Sequence, residues 1–149
     1  YTARTLIDRE PKWLHSKGLR VPFWASRKGR EELIVTEGVF DALAIERVLG
    51  DRVDALAILG SNLSEERLSK MTSYSKITIW LDSDQAGRKG VIDLGSILEE
   101  KGEQEILIVR GLGHDPGSME DEAIRESYVN SVEWSAEIGL RLLVERLND

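Results

Sequence analysis

Two aspartates one residue apart, Asp82 and Asp84, stand directly after a β-branched apolar run, Ile77-Thr-Ile-Trp-Leu81. Two carboxylates at the end of a buried strand repel each other and are costly to hold without a counter-charge. A hard dication such as Mg2+ is the usual compensation, because it takes oxygen ligands and leaves positions for substrate phosphates. Other acids share this kind of address. Glu37 closes the run Glu32 to Thr36, Asp41 lies four residues beyond Glu37, and Asp115 follows the run Ile106 to Val109. Such a cluster can hold one or two divalent ions about 3.5–4 Å apart, which clamp the attacking and leaving oxygens of an in-line phosphoryl transfer.

Within that set, Asp82 and Asp84 are the natural ligands, with Asp41 and Asp115 as supplements. Glu37 would either ligate metal or act as general acid/base, its pKa raised by neighbouring carboxylates. Asp41, in the first turn of a helix, either reaches the same pocket or complements the helix dipole. Arg88 and Lys89 begin a helix, where they would meet a phosphate or remain solvated. Taken singly, each motif has a blander reading as a polar turn. A calcium loop is excluded, because Asp82-x-Asp84 has no oxygen side chain at the fifth position, carries Asp93 where Glu belongs and follows a strand. A haloacid-dehalogenase-type phosphatase also fits poorly: Ala86 stands where Thr or Val is usual, and the strand is internal.

The elements that must position these acids can be read from periodicity. After the strand Glu32 to Thr36, Val39 to Leu49 reads as a helix with Phe40, Leu43, Ala44 and Val48 on one face and Gly50 stopping it. Val53 to Leu59 is a buried strand closed by Gly60-Ser61-Asn62, and Ser64 caps a short helix carrying Leu68 and Met71. The strand before Asp82 leads into a helix lined by Val91, Leu94, Gly95 and Leu98 and ended by Gly102. Ile106 to Val109 is a further strand, and two helices close the chain. The last is expected from about Val132 to Leu147, with Val132, Ala136, Leu140, Leu143 and Leu147 on one stripe. Repeated strand–helix alternation means α/β, a Rossmann-like, mostly parallel sheet flanked by helices. Ligands of such sheets bind beyond the carboxyl ends of the strands. Glu37, Gly60-Ser61, Asp82/Asp84 and Asp115 each follow a different predicted strand and should line one edge.

At 149 residues with 41% hydrophobic and 32% charged residues, the chain has the bulk of one soluble domain. It has no cysteine and only His15 and His114, which excludes a disulfide framework and a cysteine-based zinc site. With no membrane-length run or signal peptide, a cytoplasmic location is expected. Opening on Tyr1 rather than Met, the chain reads as a piece of something longer. Residues 1–30 hold eight Lys/Arg against two Asp/Glu, a net +6 that leaves −13 for the remainder of a chain of net charge −7. That suits a protein gripping a polyanion in one place and metals in another, or a solvated charged surface. Tyr1 to Arg9 alternates weakly as an edge strand would, and residues 11–30 look irregular, punctuated by Pro11, Gly18 and Pro22. Their basic residues interleave with Trp13, Phe23 and Trp24, either to contact phosphates and stack bases or to anchor a long loop.

Together the motifs resemble the Toprim domain shared by bacterial-type DNA primases, type IA and II topoisomerases and certain nucleases. They are Ile34-Val-Thr-Glu-Gly-Val-Phe-Asp41 and Leu81-Asp-Ser-Asp-Gln-Ala-Gly87. Within that family the chain is most similar to bacterial and phage primases. It shares Asp41, the turn Leu59-Gly60-Ser61, the Asp-x-Asp-x-Ala-Gly-Arg run at 82–88, Asp115-Pro116 and an upstream Pro11-Lys12-Trp13-Leu14. The resemblance implies Mg2+ or Mn2+ on Asp82, Asp84, Asp41 and Asp115, with Glu37 catalytic. Lys12, Arg27, Lys28, Gly60, Ser61, Arg88 and Lys89 would then contact nucleic acid or nucleotide. It divides the chain into a basic segment, 1–30, as a remnant of the primase polymerase subdomain, a Toprim domain, 31–125, and a C-terminal helical extension, 126–149. The implied activity is nucleotidyl transfer, making RNA primers on a single-stranded DNA template from ribonucleoside triphosphates, with a zinc-binding module or helicase as partner in the parent protein. The alternatives are a metal-dependent Toprim nuclease and a nucleic-acid-binding module without activity of its own.

Overall fold

The computed structural model describes residues 2–4, 13–15, 22–59, 64–110 and 115–148. The strands are β1 (Thr2–Arg4), β2 (Trp13–His15), β3 (Phe23–Ser26), β4 (Glu32–Thr36), β5 (Val53–Ala57), β6 (Lys76–Trp80), β7 (Glu105–Ile108) and β8 (Val132–Glu133). The helices are α1 (Val39–Leu49), α2 (Glu65–Met71), α3 (Gln85–Lys101), α4 (Asp121–Val129) and α5 (Ala136–Asn148), with a 3-10 turn at Pro116–Ser118. β1 and β2 form a two-stranded antiparallel ladder, and the other strands form one sheet in the order β3-β5-β4-β6-β7-β8. Its four inner strands run parallel, while β3 and β8 run antiparallel at the edges. The expected mostly parallel, helix-flanked sheet is therefore present, and its edge strands come from either side of residues 31–125.

Inner strands buried on both faces need apolar side chains at nearly every position, which explains Leu33-Ile-Val35 and Ile77-Thr-Ile-Trp80. Alternation divides them between two cores. Leu33, Val35, Ile77 and Ile79 face α2, α3 and α5, whereas Ile34, Ala55 and Trp80 face α1 and α4. Ser64 caps α2 by accepting from the amide of Arg67, as its position predicts. Val91, Leu94, Gly95 and Leu98 of α3 are all buried, and Gly102 ends that helix. No helix among the described residues is long and apolar enough to cross a membrane.

Three expectations need correction. Residues 11–30 are not wholly irregular, since they include β2 and β3. The pairing of Phe23 with Ala57 and Trp24 with Leu56, followed by a bulge before Ser26, is long-range and leaves little local pattern. In α1 the buried face is Asp41, Ala42, Ala44, Ile45, Val48 and Leu49, whereas Phe40 and Leu43 are exposed by 53% and 43%. The last helix begins at Ala136, because Val132 and Glu133 pair with β7 as β8. Leu140 and Leu143 point outward and Leu142 inward. Trp134 sets this rotation. A Cβ on Gly95 of α3 or on Gly139 of α5 would come within 2.7 Å and 2.9 Å of its ring, so both helices close on the indole only through glycine.

Candidate functional site

Neighbouring strands β4 and β6 end level, Thr36 opposite Trp80, so Glu37 and Leu81-Asp82 leave the sheet side by side. β7 flanks β6, and the Val109 amide bonds to the Ile79 carbonyl at 3.0 Å. The segment that follows β7 then returns across the edge. Its Gly117 amide donates to Asp41 Oδ1 at 2.9 Å, and Asp41 Oδ2 accepts from the Gly38 amide at 3.2 Å. Asp41 therefore belongs to the edge rather than serving only the dipole of its own helix. Asp84 is the N-cap of α3, accepting from the Gly87 amide at 2.7 Å. That turn requires glycine, because a Cβ at position 87 would stand 1.9 Å from the Asp82 carbonyl oxygen.

The electrostatics record the convergence. Burial raises the pKa of Glu37, and the charges of Asp84, Asp41 and Asp115 raise it further. Burial and then Asp115 raise that of Asp41, against the lowering effect of the bonds from Gly117 and Gly38. Asp82 is pushed up to about 7, first by burial and then by Glu37, Asp115, Asp41 and Asp84. Among the described residues no hydrogen bond or ion pair to the side chain of Glu37 or Asp82 offsets this repulsion. Hard oxygen donors under mutual repulsion fit a divalent cation in chemistry. Among the described residues, however, no group of three His, Cys, Asp or Glu side chains is already drawn together as an ion would hold it. Asp41 accepts with both oxygens, and Asp84 with one, from backbone amides.

The basic residues scatter. Arg88 donates to the Ser83 carbonyl at 2.5 Å, across the turn that carries the aspartates, and Lys89 pairs with Asp93 on the helix surface. Arg27 and Lys28 lie beside the amino end of β5, at the opposite end of the sheet from the acids. There the Arg27 guanidinium sits 5.1 Å from the Trp24 ring centre, and Trp24 stacks on Tyr74. Lys28 Nζ pairs with Glu46 at 2.8 Å. The backbone amides of Lys28, Gly29 and Arg30 wrap the buried Asp54, which also accepts from the Tyr74 hydroxyl. Burial pushes Asp54 upward, but these bonds outweigh it and leave its pKa below the usual carboxylate value. Lys12, Gly60 and Ser61 lie outside the described residues. Sequence reasoning missed Gly117; Asp-Pro-Gly reads only as loop punctuation until its amide is seen on Asp41.

A family model described as Toprim-like matches residues 34–119, the stretch that carries every acid of this edge. The chain belongs to the Toprim-like family. Among curated proteins, this Toprim chain is 33% identical over 105 residues to a DNA primase of Thermotoga maritima, covering 62% of the chain and 18% of that protein. It is 26% identical over 140 residues to a DNA primase of Staphylococcus epidermidis, covering 85% of the chain and 22% of the relative. It therefore spans about a fifth of the length of these relatives. A crystal structure of a DNA primase domain from Pseudomonas aeruginosa matches 97% of the chain and 50% of its own, at a TM-score of 0.74 and 27% identity. A DnaG primase catalytic domain bound to ssDNA shares the fold at a TM-score of 0.72 and 21% identity, covering 97% of this chain and 51% of that one.

Proposed function

We propose that this Toprim domain is the catalytic part of a cytoplasmic DNA primase, joining ribonucleotides on a single-stranded DNA template. The observation that carries the reading is the convergence of Glu37, Asp41, Asp82, Asp84 and Asp115 on one edge, where burial first and then neighbouring acids drive Glu37, Asp41 and Asp82 toward their protonated forms. The similarity to primases supports the choice within the family. Asp82 and Asp84, with Asp115 and Asp41 beside them, are the residues that would hold Mg2+ or Mn2+. The ion would neutralise the phosphates and polarise the reacting oxygens.

The chain's own groups do the rest. Glu37, half-buried and raised in pKa, takes the proton of the attacking 3′-hydroxyl as its oxygen bonds to the α-phosphorus. The bond from that phosphorus to the bridging oxygen breaks, and pyrophosphate leaves. Asp41, tied to Gly38 and Gly117, positions the two loops that flank Asp82. Asp84 holds the start of α3 and with it the turn bearing both aspartates. Lys12, Arg27, Lys28, Gly60, Ser61 and Lys89 are assigned to template and nucleotide contact, and start-site selection to a zinc module or helicase partner.

The test supplies single-stranded template, labelled ribonucleotides and Mg2+ or Mn2+, to the chain alone and to the chain within its natural flanking sequence. The longer form should extend or link ribonucleotides, and Glu37→Gln should slow it by about 10²–10⁴-fold while leaving DNA binding nearly intact. Alone, the chain should bind metal and DNA yet initiate poorly. Metal-dependent cleavage of labelled strands without any incorporation, even by the longer form, would replace this reading with a Toprim nuclease. The same acids serve both reactions, so only the product distinguishes them.

A further inference from the structure

Among the described residues no hydrogen bond or ion pair reaches the Glu37 side chain, so its carboxylate goes where its backbone puts it. Three contacts hold that backbone. Asp41 accepts from the Gly38 amide, and the buried Thr36 hydroxyl donates to the Gly38 carbonyl at 3.2 Å. Both partners are close in sequence. The third contact reaches in from the neighbouring strand: the Leu59 amide, just past the end of β5, donates to the Glu37 carbonyl at 3.2 Å. The Ile58 amide donates to the Thr36 carbonyl at 2.9 Å, one residue earlier on each side. In a regular ladder only alternate amides face the same neighbour, so two consecutive donors show that the chain has left the pleat here.

Leu59 makes that departure in a strained form. Its φ is 52°, the one positive value at a non-glycine residue among the described residues. In this left-handed region the Cβ of an L-residue crowds the following carbonyl oxygen, whereas glycine enters it freely. Such strain persists only where the surroundings over-determine it, and it collects at sites that need fixed geometry. The surroundings here are the bond to Glu37 and the half-buried leucine side chain, which packs on the core beneath α1 and α4. We propose that Leu59 is a positioning residue for Glu37: its side chain, seated on the core, locks the strained turn whose amide fixes the backbone of the general base. This deepens the transfer reading above and rests on it for the role of Glu37. A general base must stand within hydrogen-bond reach of the proton it takes, and a misplacement of about 1 Å can cost about 100-fold in rate. An untethered carboxylate on a loose turn would not meet that demand.

The test separates anchoring from plain stability. Leu59→Gly removes the strain together with the anchor, so the urea midpoint should move little while the turn loosens. Amide hydrogen exchange of the metal-free chain should then show protection at residue 59 and at Gly38 reduced about tenfold or more, with the amides of β6 and β7 unchanged. In the chain within its natural flanking sequence, the same variant should lose about tenfold to a hundredfold in kcat for ribonucleotide joining, with KM within about twofold. Leu59→Met keeps an apolar anchor of similar volume and should hold both protection and kcat within about threefold of the parent. Circular dichroism of each variant checks that it is folded. Parental protection at residue 59 and Gly38 in Leu59→Gly, or a loss shared equally by every slow amide, would overturn the proposal. So would full kcat in Leu59→Gly, or a Leu59→Met variant as impaired as Leu59→Gly. If the parent joins no ribonucleotides while the exchange pattern holds, the transfer reading falls and the lock on Glu37 stands; if the parent joins them without the pattern, the reverse follows.

Discussion

Asp41, in the first turn of α1, accepts the backbone amide of Gly117, seventy-six residues further along, at 2.9 Å. Its second oxygen accepts from Gly38, the residue after Glu37. One carboxylate thereby ties the loop after β4 to the segment after β7, and β6 with its aspartates lies between those two strands in the sheet. The acid edge is held as an arc, with Asp82 at its middle.

Asp41→Asn tests that tie. The amide would present a donor to one of two backbone donors, so one buried bond is lost and its partner left unmet. We expect a loss of about 1–3 kcal/mol in stability, read as a lower urea midpoint at unchanged slope. Mg2+ affinity should fall with it, because the loops flanking Asp82 lose their common anchor. Unchanged stability would mean the bond is replaced by water at no cost.

The pKa of Asp82 makes stability depend on pH in a defined direction. A carboxyl raised from 3.8 to about 7 in the folded chain binds its proton more tightly folded than unfolded. Its effect is therefore most favourable below about pH 4 and is lost as pH rises through about 7. Glu37 and Asp41, also raised, act in the same sense. Chemical denaturation without metal should show this fall, Asp82→Asn should flatten it, and Mg2+ should stabilise most above pH 7. A slope undiminished in Asp82→Asn would locate the titration elsewhere.

Gly87→Ala sets helix propensity against close approach. Alanine is better than glycine in a helix by about 1 kcal/mol, yet its Cβ would stand 1.9 Å from the Asp82 carbonyl oxygen. That neighbour is backbone and cannot swing aside. The clash should win, lowering stability by roughly 1–3 kcal/mol and displacing Asp82 enough to blunt the Mg2+ response. A raised melting temperature would show that the turn can relax.

At the far end of the sheet, Arg27 and Lys28 should contribute unequally to nucleic-acid binding. Lys28 is already paired with Glu46, whereas Arg27 lies exposed over Trp24. If both face a single-stranded polyanion, Arg27→Gln should reduce the slope of log affinity against log salt by about 0.7, and Lys28→Gln by less. Equal slopes for both variants and the parent would return this surface to solvent.

Much of this edge could be read before any coordinates. Apolar runs ending in Glu37, Asp82 and the loop to Asp115 mark strand ends, and parallel strands joined by helices must place those ends together. The helix limits at Val39, Leu49 and Gly102 follow from local chemistry, which acts within a few residues. What the tertiary structure decided are pairings between distant segments, which leave no local period. Phe40 and Leu43 read as a buried face, but α1 turns Asp41 inward because Gly117 waits there. Leu140 and Leu143 read as a core stripe, but Trp134, gripped between Gly95 and Gly139, rotates α5 so that Leu142 enters instead. Phe23 and Trp24 read as aromatics of an irregular segment, for base stacking or for anchoring a loop, and they form an edge strand because β5 offers its free side. The strand edge was written in neighbouring residues; the bond that shapes it joins positions 41 and 117, and only the folded chain brings those together.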